Sequence, residues 1–329
     1  MRQLSVVGVP SSAASYAAGQ DLAPAALRHS GLIEALSASG LTVNDAGDLP
    51  HQVWRPDRDH PLAQNVDQVV ESLVELANRL EPLLRQGDLV LVLGGNCTVA
   101  LGVLAALHQT NDTPPVLMYV DRDFDLNTPS STRDGTLDWM GMAHALDLPG
   151  CVDALAGAFG PRPLLTSERV TWLGVERATE WERQQVKLLD LHFATNEELA
   201  ADPKGSAKRA LAHLPSGPLA VHIDVDVLDF IDAPLAENAD GRNSGPNLEQ
   251  AADALACAAR DRRMRALSIG EINPTRCVGD PHILSRFVRQ IARVVGEASP
   301  SAAAPRTDPP GSDSSSGSDR ETITATIVS

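Results

Sequence analysis

Residues 116–127 read VLMYVDRDFDLN. An apolar run ends at Val120 and passes directly into carboxylates at alternate positions, Asp121, Asp123 and Asp125. A short run that is apolar at every position is the pattern of a parallel strand buried on both faces. Two further stretches repeat the design. Residues 89–97, LVLVLGGNC, end on Cys97, and residues 219–226, LAVHIDVD, end on Asp224 and Asp226. Each cluster is therefore expected at a strand's carboxyl end, where open α/β sheets form their ligand sites. Carboxylates leaving a strand at alternate positions can converge on a hard dication such as Mn²⁺, Mg²⁺ or Ca²⁺. A single D-x-D is commonly a cap or a solvated turn. Two of them after apolar strands, preceded by a Gly-Gly-x-Cys strand end, read as a metal site.

Around these stretches, strand-like and helical runs alternate without a linker as far as residue 298 of the 329-residue chain. This predicts one α/β domain over residues 1–298, a three-layer α/β/α arrangement with a mostly parallel central sheet. From Ser299 the chain becomes rich in Ser, Pro and Asp, and residues 299–329 are expected to form a disordered tail. A formal charge of −16 argues against nucleic acid or an anionic membrane as partner. No apolar run is long enough to span a bilayer and the amino terminus lacks a signal pattern, so a cytoplasmic location is expected. Four widely spaced cysteines do not suggest a disulfide framework.

The order and wording of these motifs resemble the ureohydrolase superfamily of arginase, agmatinase and formiminoglutamase. The resemblance runs from residue 4 to residue 295, starting with a glycine-rich first βα unit and a helix entry at Ala23–Arg28. The family's GGDH, DAHxDxN and SxDxDxxDP read here GGNC, DRDFDLN and HIDVDVLDF, and its late Glu-x-Asn-Pro stands at Glu271–Pro274. The resemblance implies an arginase-like fold, a small guanidino-type substrate and a homo-oligomer, trimer or hexamer. It also implies a pair of Mn²⁺ ions held by aspartates and histidines, with a bridging hydroxide that attacks the guanidinium carbon.

Carried over by position, the metal ligands are Cys97, Asp121, Asp123, Asp125, Asp224 and Asp226. Both histidine positions have changed, to Cys97 and Asp123. Five carboxylates and a thiolate exceed two dications by two negative charges, which is costly in a buried site. Protonation of Asp123 or Cys97 or a counter-charge from Arg122 would relieve the excess, and a site reduced to one ion is a further alternative. A thiolate also favours Zn²⁺ or Fe²⁺ over Mn²⁺. Asn96 reads as a change coordinated with Cys97, because a cysteine ligand needs no carboxylate to orient an imidazole.

By the same resemblance Asp125 accepts a hydrogen bond from the hydroxide, Glu271 pairs with the guanidinium and Asn127 contacts the far end of the substrate. Asp138 stands where a proton-shuttling histidine is expected, with His144 as a minor alternative. The position that grips an amino acid's ammonium falls on Thr179, with Glu176, Glu180 and Glu182 nearby; Glu180 is taken as substrate-binding, and arginine itself is disfavoured. Residues 233–243, including Glu237 and Asn238, are expected at the pocket rim. These expectations describe a metal-dependent hydrolase of a guanidino, hydroxyguanidino or formimino compound. The alternative is a catalytically silent binding or assembly protein that retains the fold.

Overall fold

The computed structural model describes residues 3–239 and 241–298. The strands are β1 (Gln3–Gly8), β2 (Thr42–Asp48), β3 (Leu89–Leu93), β4 (Val116–Val120), β5 (Val170–Val175), β6 (Phe193–Thr195), β7 (Leu219–Asp224) and β8 (Met264–Gly270). They form one sheet in the order β2-β1-β3-β8-β7-β4-β5-β6, and every pairing between them is parallel. The expected three-layer α/β/α fold is present, with a sheet more uniformly parallel than anticipated.

The apolar runs explain the layering. Leu89, Leu91 and Leu93 enter one core, while Val90 and Val92 of the same strand enter the other. Val116, Met118 and Val120 likewise separate from Leu117 and Tyr119. Alternate side chains on a strand point to opposite faces, so a strand apolar throughout needs cover on both. The helix Val66–Arg85 covers one face, burying Val66, Val69, Leu73, Leu76, Leu80 and Leu84 at helical spacing. The helices Leu248–Ala259 and Ile283–Gly296 contribute to the other core. Strands β3, β8, β7 and β4 are consecutive in the middle of the sheet, so the three motif-bearing ends and the Glu271 end are neighbours.

The expected tail, residues 299–329, lies outside the described residues. Among the described residues no helix is long and apolar enough to cross a membrane.

Candidate metal centre

The Gly-Gly pair after β3 has a steric cause. A Cβ on Gly95 would meet the Ser11 carbonyl oxygen at 1.6 Å, and one on Gly94 would meet the Ile269 carbonyl oxygen at 2.5 Å. Without side chains there, the end of β3 packs directly against its neighbours and delivers Cys97 to the sheet's carboxyl edge. The Cys97 amide donates to Asp138 Oδ1 at 2.7 Å, and its thiol donates to Asp224 Oδ2 at 3.2 Å. On β8, a Cβ at Gly270 would lie 2.8 Å from the Cys97 sulfur, so glycine leaves the sulfur its space.

The carboxylates are set by their own turns. Asp121 Oδ1 accepts the Asp123 amide at 2.7 Å, and Asp224 Oδ1 accepts the Asp226 amide at 2.8 Å. Asp125 is held at φ 54° and accepts the Tyr119 hydroxyl at 2.5 Å. A non-glycine residue in the left-handed region is a strained conformation that the surrounding structure must enforce. Donor atoms converge in three overlapping groups, each within 4.8 Å: Cys97, Asp121 and Asp125; Asp121, Asp224 and Asp226; Cys97, Asp138 and Glu271.

This arrangement fits a divalent cation. Asp121 Oδ2 and Asp226 Oδ1 are buried without a hydrogen-bond partner, a costly state that a metal ion would relieve. Burial, then repulsion from neighbouring carboxylates, pushes Asp121 well above the usual carboxylate range. Burial and Asp226 do the same to Asp224, and burial with Asp123 brings Asp226 up to about 7. The Cys97 thiol is pushed up by burial and by Asp224. A dication reverses that balance by favouring every deprotonated form.

Asp123 is placed differently from the expectation. It stands outside the three donor groups, and its half-buried carboxylate pairs with the guanidinium of Arg177. The same guanidinium lies 3.4 Å from Asp226 Oδ2. Arg122 supplies positive charge near Asp226, Asp123 and Asp224, as expected, but makes its direct ion pair elsewhere. It is 0% exposed, donates to the Asp226 carbonyl at 2.8 Å and pairs with Glu176. Successive residues leaving a strand project oppositely, so the arginine beside Asp123 in sequence is not its partner in space.

A cavity of ≈ 560 Å³ opens over the cluster and includes Cys97, Asp125, Asn127, Asp138, Asp224, Asp226 and Glu271 in its lining. Glu271, at φ 69°, donates its amide to the Gly95 carbonyl at 2.7 Å, and its Oε1 accepts Gln20 Nε2 at 2.5 Å. Its carboxyl also shares a hydrogen bond with Asp138. Burial and Asp138 raise Glu271, so this pair retains a proton at pH values where isolated carboxyls have lost theirs.

The outer wall corrects the choice of Glu180. Thr179 caps the helix Glu180–Leu188 in a capping box closed by Glu182. That turn leaves Glu180 exposed and paired with Arg183, whereas Glu182 is buried and lines the cavity. Thr179 Oγ1 donates to Asn127 Oδ1 at 3.1 Å, which joins the two walls. His144 takes no place in the lining. Its Nδ1 bonds the Met140 carbonyl at 2.7 Å and its Nε2 accepts the Val152 amide at 3.0 Å, and burial lowers its pKa to about 4. Of the rim pair, Asn238 lines the cavity while buried Glu237 pairs with Arg276 at 2.5 Å. Tyr16 and Trp139, which the sequence reading passed over as site residues, also line the cavity with ring centroids 5.8 Å apart.

With this geometry in place, comparison with known proteins decides the family: the sequence pattern described as the Arginase family matches residues 2–297. The chain belongs to the arginase family. It is 32% identical to an arginase of Bacillus subtilis (strain 168) over 238 residues, which covers 71% of this chain and 78% of that protein. An arginase of Brevibacillus brevis is 30% identical over 242 residues, again covering 71% of this chain and 78% of the relative. The crystal structure of arginase from Bacillus subtilis matches with a TM-score of 0.77 at 24% identity, covering 90% of this chain and 98% of that one.

Proposed function

We propose that this protein is a metal-dependent hydrolase of a linear amidine C–N bond in a small guanidino, hydroxyguanidino or formimino compound. One observation carries the reading: Asp138 and Glu271 stand in a single cavity with Cys97, Asp125, Asp224 and Asp226. The arginase relatives support the same reaction class.

Two Mn²⁺ ions are the proposed cofactor, with Zn²⁺ or Fe²⁺ as alternatives favoured by sulfur. Cys97, Asp121, Asp125 and Asp224 would hold one ion, and Asp121, Asp224 and Asp226 the other. Bound there, the ions supply activation of water near neutral pH. Two dications and Arg177 then balance the five aspartates, and Cys97 would give up its thiol proton to solvent on holding an ion.

The chain's own groups do the rest. A planar cation takes bidentate carboxylate partners, and Glu271, fixed by Gln20, faces the cavity for that purpose. The Asp138–Glu271 pair holds a proton that can pass to the departing amine. Asp125, oriented by Tyr119, accepts a hydrogen bond from the attacking water. Asn127 and Thr179 meet the substrate's far end. With Glu180 outside the cavity and Glu182 tied into the helix cap, arginine itself is not the proposed substrate. A homo-oligomer, trimer or hexamer, is proposed by family analogy.

A catalytically silent protein is the second reading, favoured by the absence of any histidine among the described residues lining the cavity. A urea- and amide-release screen of Mn²⁺-loaded protein over guanidino and formimino compounds separates the two. Release from one compound class supports the hydrolase. Stoichiometric metal with no release from any compound supports the silent protein.

A further inference from the structure

Arg122 carries a full charge at 0% exposure, in a position flanked by the two D-x-D turns. Its guanidinium donors are all directed at protein acceptors. Nε donates to the Asp226 carbonyl at 2.8 Å, and Nη2 to the Val227 and Leu228 carbonyls at 3.3 Å each. Nη1 donates to Ser244 Oγ at 3.0 Å and pairs with Glu176. Its own carbonyl accepts the Glu176 amide at 2.9 Å and the Arg177 amide at 3.2 Å. One residue therefore fastens the turn that carries Asp226 and the turn that carries Arg177 to the end of β4.

We propose that Arg122 is a positioning residue of the metal centre, fixing Asp226 and its partner Arg177 relative to Asp121. The proposal rests on the reading that Asp121, Asp224 and Asp226 hold a divalent ion. A buried, hydrogen-bonded arginine is weak evidence for stability in itself, because apolar packing of similar volume is often as favourable. Its role here is geometric. A planar fork of five donors can reach three successive carbonyls and a neighbouring loop at once, which lysine's single ammonium cannot. The chain also leaves room for the fork: a Cβ on Gly241 would lie 2.5 Å from Arg122 Nη2. Alanine there displaces the guanidinium tip without touching any ligand.

The test compares Arg122→Met and Gly241→Ala with the wild type by calorimetric Mn²⁺ titration and by the rise in Tm that Mn²⁺ produces. Arg263→Met is the control, because Arg263 makes a similar clamp to the Leu211, Leu214 and Pro215 carbonyls at the amino end of the sheet. Groups that orient ligands from behind typically contribute about 10–100-fold in metal affinity, and that loss is expected in both site variants. Their Mn²⁺-induced rise in Tm should shrink, whereas Arg263→Met should lower Tm equally with and without Mn²⁺. If Arg122→Met does not fold, Gly241→Ala, which keeps the charge, carries the test. Wild-type Mn²⁺ affinity in Gly241→Ala and in any folded Arg122→Met overturns the proposal alone; wild-type protein that takes up no Mn²⁺ overturns it together with the metal reading.

Discussion

The thiol of Cys97 donates to Asp224 Oδ2 at 3.2 Å, joining the end of β3 to the end of β7 across the intervening strand β8. The contact exists because Gly270 on β8 has no side chain; a Cβ there would stand 2.8 Å from the sulfur. Three strands thus cooperate to place one sulfur among carboxylates. In the metal-free protein that sulfur is a protonated thiol, since burial and Asp224 both disfavour the thiolate.

A divalent ion bound beside Cys97 should displace its proton. Co²⁺ loading is therefore expected to produce a near-ultraviolet sulfur-to-metal charge-transfer band that Cys97→Ser abolishes. An unchanged spectrum in Cys97→Ser would show that the sulfur is not a ligand.

The Asp123–Arg177 pair predicts an asymmetric double-mutant cycle. Arg177→Gln leaves two carboxylates without their guanidinium and should destabilise the metal-free protein. Asp123→Asn added to it should recover part of the loss, with a coupling of about 1 kcal/mol for a half-exposed pair. Asp123→Asn alone should retain wild-type metal content. Loss of metal in that variant would return Asp123 to the ligand set.

Much of this site is legible in the sequence, and the remainder is not for an identifiable reason. Strands β3, β4 and β7 announce themselves by unbroken apolar runs, and the residues that end them meet at one edge of the sheet. Arg177 could not be found that way. It follows β5, and its approach to Asp123 depends on β5 lying beside β4 and on the turn between β5 and the next helix. Glu182 rather than Glu180 faces inward because the capping box turns the third residue of the helix back towards Thr179, and the T-x-x-E pattern at Thr179 is the sequence signal for it. Tyr119 reads as ordinary core within VLMYV; only the positive φ of Asp125 brings a carboxylate back to its hydroxyl.

His144 predicts a pH effect on stability. Its folded pKa is depressed from 6.5 to about 4, so the neutral form is the one the fold accommodates. The unfolded chain takes up a proton first as pH falls, and stability is lost from the ordinary histidine range down through the folded value. For this group the loss amounts to roughly 3 kcal/mol. His144→Gln should be less stable than wild type at neutral pH yet lose less on acidification, as read by urea unfolding at several pH values. Parallel pH dependence in the two proteins would show that His144 is not held neutral.

The most direct test of the account is the metal content of dialysed, Mn²⁺-loaded protein measured by inductively coupled plasma mass spectrometry. Wild type is predicted to retain stoichiometric Mn²⁺. Asp224→Ala/Asp226→Ala, with its fold verified by circular dichroism, is predicted to retain none, because the removed carboxylates serve both proposed ion positions. Wild-type metal content in that double variant would contradict the account.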